Sequence, residues 1–296
     1  MAPLFVGTCS WKYPSWKGLV YSRASGIDYL SEYAARYSSV EIDQWFWTLP
    51  EVPAAAEYAA ATPKDFRFTI KLPNALTLTH FYRKKGESQL KANPDFLSPA
   101  VFDDVLARLA PLHSRIGMLM LQFEFMNADK IPSAAEFIDR LGAFLDAVPR
   151  ALPLGVEIRN PSWLDTRYFS LLAEKRVSHV FLQGYFMPAI TQTYKRHCSL
   201  LRDCAVVRLH GPDREGMEKV TGESWNRIVA PKDDELSAIV DMINDMRGRS
   251  MTVYLNVNNH YEGSAPLTIE RLRERGILEC PPVRGPAPQP QGELPF

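Results

Sequence analysis

Eight short β-rich runs recur along the chain, each followed by a stretch with helical periodicity, and no other feature restricts the fold as much. The runs are LFVGTCS (4–10), SVEID (39–43), FRFTIK (66–71), IGMLMLQ (116–122), LGVEIR (154–159), HVFLQ (179–183), AVVRLH (205–210) and TVYLNV (252–257). Several are apolar without polar alternation, as in parallel strands covered on both faces. Between them, Leu30, Tyr33, Ala34 and Tyr37 recur at helical spacing, as do Phe102, Val105, Leu106 and Leu109. Phe137, Leu141, Phe144, Leu145 and Val148 form another stripe, and Leu236, Ile239, Val240 and Ile243 a fourth. Ser98 before Pro99 reads as an N-cap, Ser133 and Glu136 have capping-box spacing, and Asp165 caps a helix carrying Phe169 and Leu172. Eight strand–helix units predict an α/β protein closed into a (β/α)8 TIM barrel, one domain over residues 1–279. An open doubly wound sheet is the alternative, but no GxGxxG follows the first strand to give it a dinucleotide site.

The bulk properties exclude more than they assign. Lys plus Arg and Asp plus Glu both number 34, so net charge supplies no steering toward nucleic acid or anionic membrane. The 296 residues, 46% hydrophobic, suffice to bury a core without disulfide staples. Cys9, Cys198, Cys204 and Cys280 form no CxxC pair and read as free thiols of a reducing compartment. MAPLFVGTCSW lacks the basic and apolar regions of a signal peptide, and no apolar run is long enough to span a membrane. A cytoplasmic protein is expected.

Polar residues gather at the predicted C-terminal strand ends, where TIM barrels carry their sites. Ser10 and Trp11 end the first strand, Glu41 and Asp43 the second, Lys71 the third, Gln122 the fourth, and Glu157 and Arg159 the fifth. Gln183 ends the sixth, Arg208 and His210 the seventh, and the eighth leads to Asn256, Asn258 and Asn259. Ionisable groups in such places are costly unless paired or functional. Glu41 and Glu157 are the acid/base candidates, because paired carboxylates can be split in pKa by their surroundings. His210 is the candidate proton shuttle. Lys71, Arg159 and Arg208 suit a carboxylate or phosphate, and the asparagines can orient hydroxyls or amides. Read structurally, the same charges are buried ion pairs closing the barrel top. Glu41, Glu157 and His210 offer a weak case for a divalent metal, since no HxxxH or HExxH spacing occurs. No metal site is therefore assigned, and no cofactor is identified. Trp11, Trp16, Trp45, Trp47 and Trp163 suit stacking on a sugar or base, or simple packing at the rim.

Two connections are longer than a barrel requires. Residues 72–98 carry Thr79-His80 and Arg83-Lys84-Lys85, and residues 184–204 carry Lys195-Arg196-His197. Both are expected at the functional face, as lids or solvated loops. Residues 280–296, rich in Pro, Gly and Gln, read as a flexible tail.

The ordered motifs resemble the family called domain of unknown function 72, the YecE-like proteins. Gly7-Thr8-Cys9-Ser10-Trp11 with Trp16, Gly18 and Tyr21 is similar to its opening, and Glu41-Ile42-Asp43 with Phe46-Trp47 and Pro50 to its second block. Thr62-Pro63, Phe66, Phe68, Lys71 and Thr79-His80 follow, then Glu157-Ile158-Arg159 with Ser162-Trp163, Arg208-Leu209-His210-Gly211, and Tyr254 with Asn258-Asn259. Asp43 replaces the usual Asn, Trp47 a Tyr, Glu124 a Pro, and Gln183 an Asp at the end of strand 6. The resemblance implies a TIM barrel and no settled activity. Some members have been likened to endonuclease IV-type barrels, but this chain lacks the histidine-rich set of a trinuclear zinc nuclease.

Gln291, Leu294 and Phe296 at the chain's end have the Q-x-x-L-x-F spacing of peptides that dock on the bacterial sliding clamp. Three functions are therefore expected to compete. The first is an enzyme on a small anionic or phosphorylated substrate, working through Glu41, Glu157 and His210. The second is a DNA-associated, nuclease-like barrel recruited by its tail, with a basic groove of Arg83, Lys84, Lys85, Lys195 and Arg196. The third is a non-catalytic ligand binder on the same scaffold.

Overall fold

The computed structural model describes residues 1–23, 25–82, 90–149 and 151–277. Arg83, Lys84, Lys85, Cys280, Gln291, Leu294 and Phe296 lie outside them. Eight strands form one parallel sheet: β1 Leu4–Thr8, β2 Ser39–Ile42, β3 Arg67–Lys71, β4 Ile116–Gln122, β5 Leu154–Glu157, β6 Ser178–Gly184, β7 Cys204–Gly211 and β8 Thr252–Val257. Their order, β1-β8-β7-β6-β5-β4-β3-β2, curls the sheet into a nearly closed barrel. The TIM-barrel expectation holds, and each sequence run contains most of a strand.

Around it lie helices α1 Tyr29–Ala34, α2 Val52–Ala60, α3 Pro99–Arg108, α4 Ala134–Ala147, α5 Thr166–Glu174, α6 Ile190–His197, α7 Arg214–Thr221, α8 Asp233–Gly248 and α9 Ala265–Glu274. The caps form as expected: Ser98, Ser133 and Asp165 accept from the backbone N–H groups of Val101, Glu136 and Tyr168. Each such cap contributes about 1 kcal/mol. The reciprocal half of the capping box is not seen, because Glu136 pairs with Arg140 instead. Among the described residues no helix is long and apolar enough to cross a membrane. Cys9, Cys198 and Cys204 are free thiols.

Strand alternation splits the core in two. Outward residues such as Val40, Ile70, Leu119, Val156, Val207 and Leu255 join the stripes of the helices in one large apolar cluster. Inward residues Met118, Met120, Val180, Val206 and Tyr254, with Phe5 and Cys204 against them, form a separate plug in the lower lumen. At Gly117 a Cβ would stand 2.4 Å from the Tyr254 ring, so only glycine lets that ring cross the floor. The next inward layer up is polar.

The seam between β1 and β2 is closed by side chains rather than by a regular ladder. Ser38 Oγ accepts the Val6 N–H at 2.9 Å, and the Ser38 N–H donates to the Val6 carbonyl at 3.2 Å. The Tyr33 hydroxyl, delivered by α1, accepts the Thr8 N–H at 2.8 Å and donates to the Ser39 carbonyl at 3.1 Å. A Cβ at Gly7 would stand 1.9 Å from the Ser39 oxygen, which fixes glycine at this close approach.

One expectation fails. Much of the connection 184–204 is α6, which runs back along the barrel so that β7 can start beside the N-terminal end of β6. Lys195 and Arg196 occupy its last turn, at the end of the barrel opposite the C-terminal mouth. His197 is buried and stacks on Phe169 with ring centres 4.1 Å apart. This segment is ordinary barrel helix, not a lid, because a βα unit needs those residues to return the chain.

Candidate functional site

Arg208 is the centre of the polar layer. On β7 it is inward by alternation with Val206 below and His210 above. It is 1% exposed, as is Glu157, and Glu41 is 0% exposed, so all three must satisfy one another. Arg208 grips Glu41 with a two-pronged contact, Nε to Oε2 at 2.7 Å and Nη2 to Oε1 at 2.8 Å. Its Nη1 donates to Gln122 Oε1 at 3.1 Å and to Glu157 Oε2. Asn256 Nδ2 donates to Glu41 Oε2 at 3.1 Å and to Thr69 Oγ1 at 2.8 Å. Six strands thus meet across the lumen through one guanidinium and two carboxylates.

Above that layer the groups reach the mouth. Lys71 Nζ lies 3.5 Å from Glu41 Oε1, and Arg159 Nε donates to Glu157 Oε1 at 3.1 Å. Both cations are partly exposed, unlike the carboxylates they lean on. The Arg159 guanidinium also lies over the Tyr185 ring, 4.8 Å from its centre. His210 Nε2 is 3.4 Å from Cys9 Sγ, and its Nδ1 is 3.5 Å from the Tyr185 hydroxyl.

The charges set the protonation states. Burial opposes ionisation of Glu157, but Arg208, Arg159 and Lys71 outweigh it and hold the pKa below the usual carboxylate range. Burial pushes His210 well down, and Arg208, Lys71 and Arg159 push it further, so the imidazole is neutral. Burial and then Glu41 raise the Cys9 thiol. Asp43, half-buried, is raised by burial against the pull of Lys71, with Glu41 adding to the rise. The Cys9–His210 contact is therefore thiol to neutral imidazole, not an activated thiolate pair.

Cys9, Glu41 and His210 do present ligand atoms all within 4.8 Å of one another. The electrostatics disfavour a cation there. Glu41 Oε2 already accepts from Arg208 and Asn256, and Oε1 faces Arg208 and Lys71. A divalent ion would have to displace Lys71 and sit beside two positive side chains. The mouth suits an anion better.

Glu41, Gln122, Glu157 and Arg208 share the inner layer, and Lys71, Arg159 and His210 stand at its mouth, all as the strand ends suggested. Ser10 and Asp43 sit at the same rim, partly buried. Other candidates turn elsewhere. Trp11 is buried against Tyr58, and its carbonyl accepts from the Tyr21 hydroxyl. Trp163 packs on Phe137 of α4. Asn259 Oδ1 accepts the Ala265 N–H at the start of α9. Asn258 Oδ1 accepts from the backbone of His260 and meets its ring, which continues to Glu218 and Arg214. Gln183 bonds Glu235 of α8 and the Ile190 N–H, outside the lumen. Cys9, Thr69 and Tyr185 are not among the residues the sequence singles out for the site, and Asn256 stands there only with the other asparagines as a group that can orient hydroxyls or amides. For Cys9, Thr69 and Asn256 the signal existed: each falls on an inward position of its strand. Tyr185 follows a register shift after Gln183 and had none.

The sequence matches the family described as "Protein of unknown function DUF72" over residues 5–292. It is 29% identical to UPF0759 protein YecE of Escherichia coli K12 over 161 residues, 54% of this chain and about half of that protein's length (50%). It is 22% identical to UPF0759 protein YunF of Bacillus subtilis 168, covering 80% of this chain and 82% of that protein. A DUF72 family protein of Enterococcus faecalis V583 superposes with a TM-score of 0.67 at 18% identity, over 94% of this chain and 97% of that one. One from Thermotoga maritima MSB8 gives 0.65 at 21%, over 92% and 98%. These likenesses support the barrel.

Proposed function

This chain belongs to the DUF72 family, and on that barrel frame we propose an enzyme that binds a small anionic or phosphorylated substrate at the C-terminal mouth. One observation carries the reading: Lys71 and Arg159 lean from a sealed Arg208–carboxylate layer toward solvent, beside a neutral His210. Both carboxylates are spent inward, so the outward ends of the two cations are what a ligand meets.

As read from the sequence, Glu41 and Glu157 are an acid/base pair. The geometry supports a different division of labour. Both are buried and share Arg208, and they hold Lys71 and Arg159 in place as positioning groups. His210 is the group that exchanges a proton with the ligand. Free, it is neutral because burial, and then its positive neighbours, oppose its protonation. An anion between Lys71 and Arg159 offsets those charges and raises the imidazole pKa, so proton uptake follows substrate binding.

Pyrophosphate is a suitable probe. At one hundred times its Kd it stabilises the fold by about 2.7 kcal/mol, visible as a raised Tm. Lys71→Met and Arg159→Gln each remove most of that rise. Calorimetric titration at pH 6 in two buffers of different ionisation heat shows more proton uptake in the parent than in His210→Gln, the ligand's own proton exchange being common to both. Loss of that difference with binding retained overturns the proton role. If phosphate and pyrophosphate leave Tm unchanged, the anion site does not exist.

A further inference from the structure

Among the described residues, the exposed aromatic rings are Trp47, Phe81, Tyr82, Phe125 and Phe186. All five are on segments leaving the C-terminal ends of strands: Trp47 after β2, Phe81 and Tyr82 after β3, Phe125 after β4, Phe186 after β6. None lies at the other end of the barrel. Phe186 is 95% exposed and Trp47 66%, a costly disposition for side chains of this size. Trp47 and Tyr82 face each other across adjacent connections, ring centres 6.5 Å apart and tilted by 41°.

The rings surround cations. Lys71 and Arg159 stand in the mouth, Lys91 lies over Phe81 at 5.8 Å, and Arg214 begins α7 on the connection after β7. The acids on the same face include Asp43, Glu124, which pairs with Lys130, Glu218, which pairs with Arg214, and Asp95 and Asp104, which line a pocket with Trp47. A ring of flat apolar faces around a cationic centre matches one ligand chemistry: phosphate groups alternating with flat rings. An apolar protein surface would cover the outward ends of Lys71 and Arg159 with nothing to accept from them, and a neutral sugar would not use their charge.

We propose that the substrate is built of nucleotides, with a phosphate between Lys71 and Arg159 and bases stacked on Trp47, Tyr82, Phe125 and Phe186. This rests on the anion site argued above and names its substrate class. The shared chemistry has two sources, a free nucleotide or a single strand of nucleic acid. The rings stand on four different connections, so a strand of several nucleotides meets more of them. In a duplex the faces of the bases are covered by their neighbours. The exposed bases of a single strand are free to stack.

The experiment uses the full chain and fluorescence anisotropy of labelled ten-nucleotide poly-dT and poly-U, with unlabelled thymidine monophosphate, duplex DNA and pyrophosphate as competitors. The expected result is tighter binding of the single strand than of pyrophosphate or duplex, and quenching of Trp47 fluorescence. Each of Trp47→Ala, Tyr82→Ala, Phe125→Ala and Phe186→Ala weakens the single strand about ten-fold, a stacking contribution of about 1.4 kcal/mol, and leaves pyrophosphate binding unchanged. These residues are exposed, so folding is preserved, as circular dichroism will verify. Competition by the monophosphate as strong as by the strand assigns the free nucleotide, still within the proposal. Single strands no tighter than pyrophosphate, or insensitive to all four substitutions, overturn it while leaving the anion site standing. If pyrophosphate also fails to bind, both readings fall. A dimer in sedimentation that the four-alanine variant makes monomeric gives the rim to a second copy of the chain and overturns the nucleotide assignment.

Discussion

Arg208 is a single residue on which two buried charges depend. Glu41 and Glu157 have no access to water, and each oxygen of Glu41 takes a hydrogen bond from the same guanidinium. Removing the guanidinium leaves two carboxylates in the lumen, above an apolar plug, with only the partly exposed Lys71 and Arg159 to offset them. Arg208→Ala is therefore expected to destabilise the protein by about 3–5 kcal/mol, because an uncompensated buried charge costs far more than a pair contributes. Arg208→Lys keeps the charge but cannot reach Glu41, Gln122 and Glu157 in one plane, and recovers only part of that loss. Urea unfolding measures both. An alanine variant within 1 kcal/mol of the parent would mean that the ion cluster does not hold the lumen together. Much of this cluster was readable beforehand: Glu41, Gln122, Glu157 and Arg208 are polar residues at the ends of apolar strands. What could not be read was which oxygen serves which nitrogen, or that one arginine would occupy both carboxylates. Asn258 and Asn259 show the converse, since a polar pair just past a strand looks like a site and instead holds its own loop.

At the scale of elements, the strand–helix alternation was legible because buried parallel strands and amphipathic helices have different periods. The seam was not. Nothing in SVEID or LFVGTCS says that β1 and β2 will be joined through Tyr33 and Ser38. That depends on α1 delivering a hydroxyl from the outer layer. Tyr33→Phe removes the acceptor of the Thr8 N–H and the donor to the Ser39 carbonyl, both buried. The expected cost is about 2–3 kcal/mol, since both partners lose their bond. It should be local: amide hydrogen exchange at Thr8 speeds up while amides of β5–β7 keep their relative protection. Uniform acceleration across the barrel would show that the seam opens only when everything does. The misplaced lid at 184–204 has a related cause. Its polar run Lys195-Arg196-His197 resembles a loop by composition, but a βα unit needs a returning helix there.

For the whole molecule, the buried histidines tie stability to pH in one direction. His179 is pushed down to about 3 by burial, against the pull of Glu157, and sits between Tyr168, Phe169 and Phe181 in the outer core. His210 is likewise held well down in the mouth. In the unfolded chain both take protons near pH 6.5. Below that pH the unfolded state binds more protons than the folded one, so stability is full above it and falls as the solution is acidified. Each such histidine contributes a slope of about 1.4 kcal/mol per pH unit, so the pair costs about 2–3 kcal/mol between pH 7.5 and 5.5. Glu157, with its lowered pKa, adds a loss of the same sign at lower pH, starting near 4.3 where the unfolded carboxylate titrates. The urea midpoint should therefore drop between pH 7.5 and 5.5, and His210→Gln should remove only part of that drop, since His179 and the likewise lowered His197 and His260 remain. An anion bound between Lys71 and Arg159 should flatten it too, because it makes protonated His210 tolerable in the fold. A midpoint that holds steady to pH 5.5 would place both imidazoles in contact with water or with an acid. It would thereby remove the neutral His210 on which the proposed proton transfer depends.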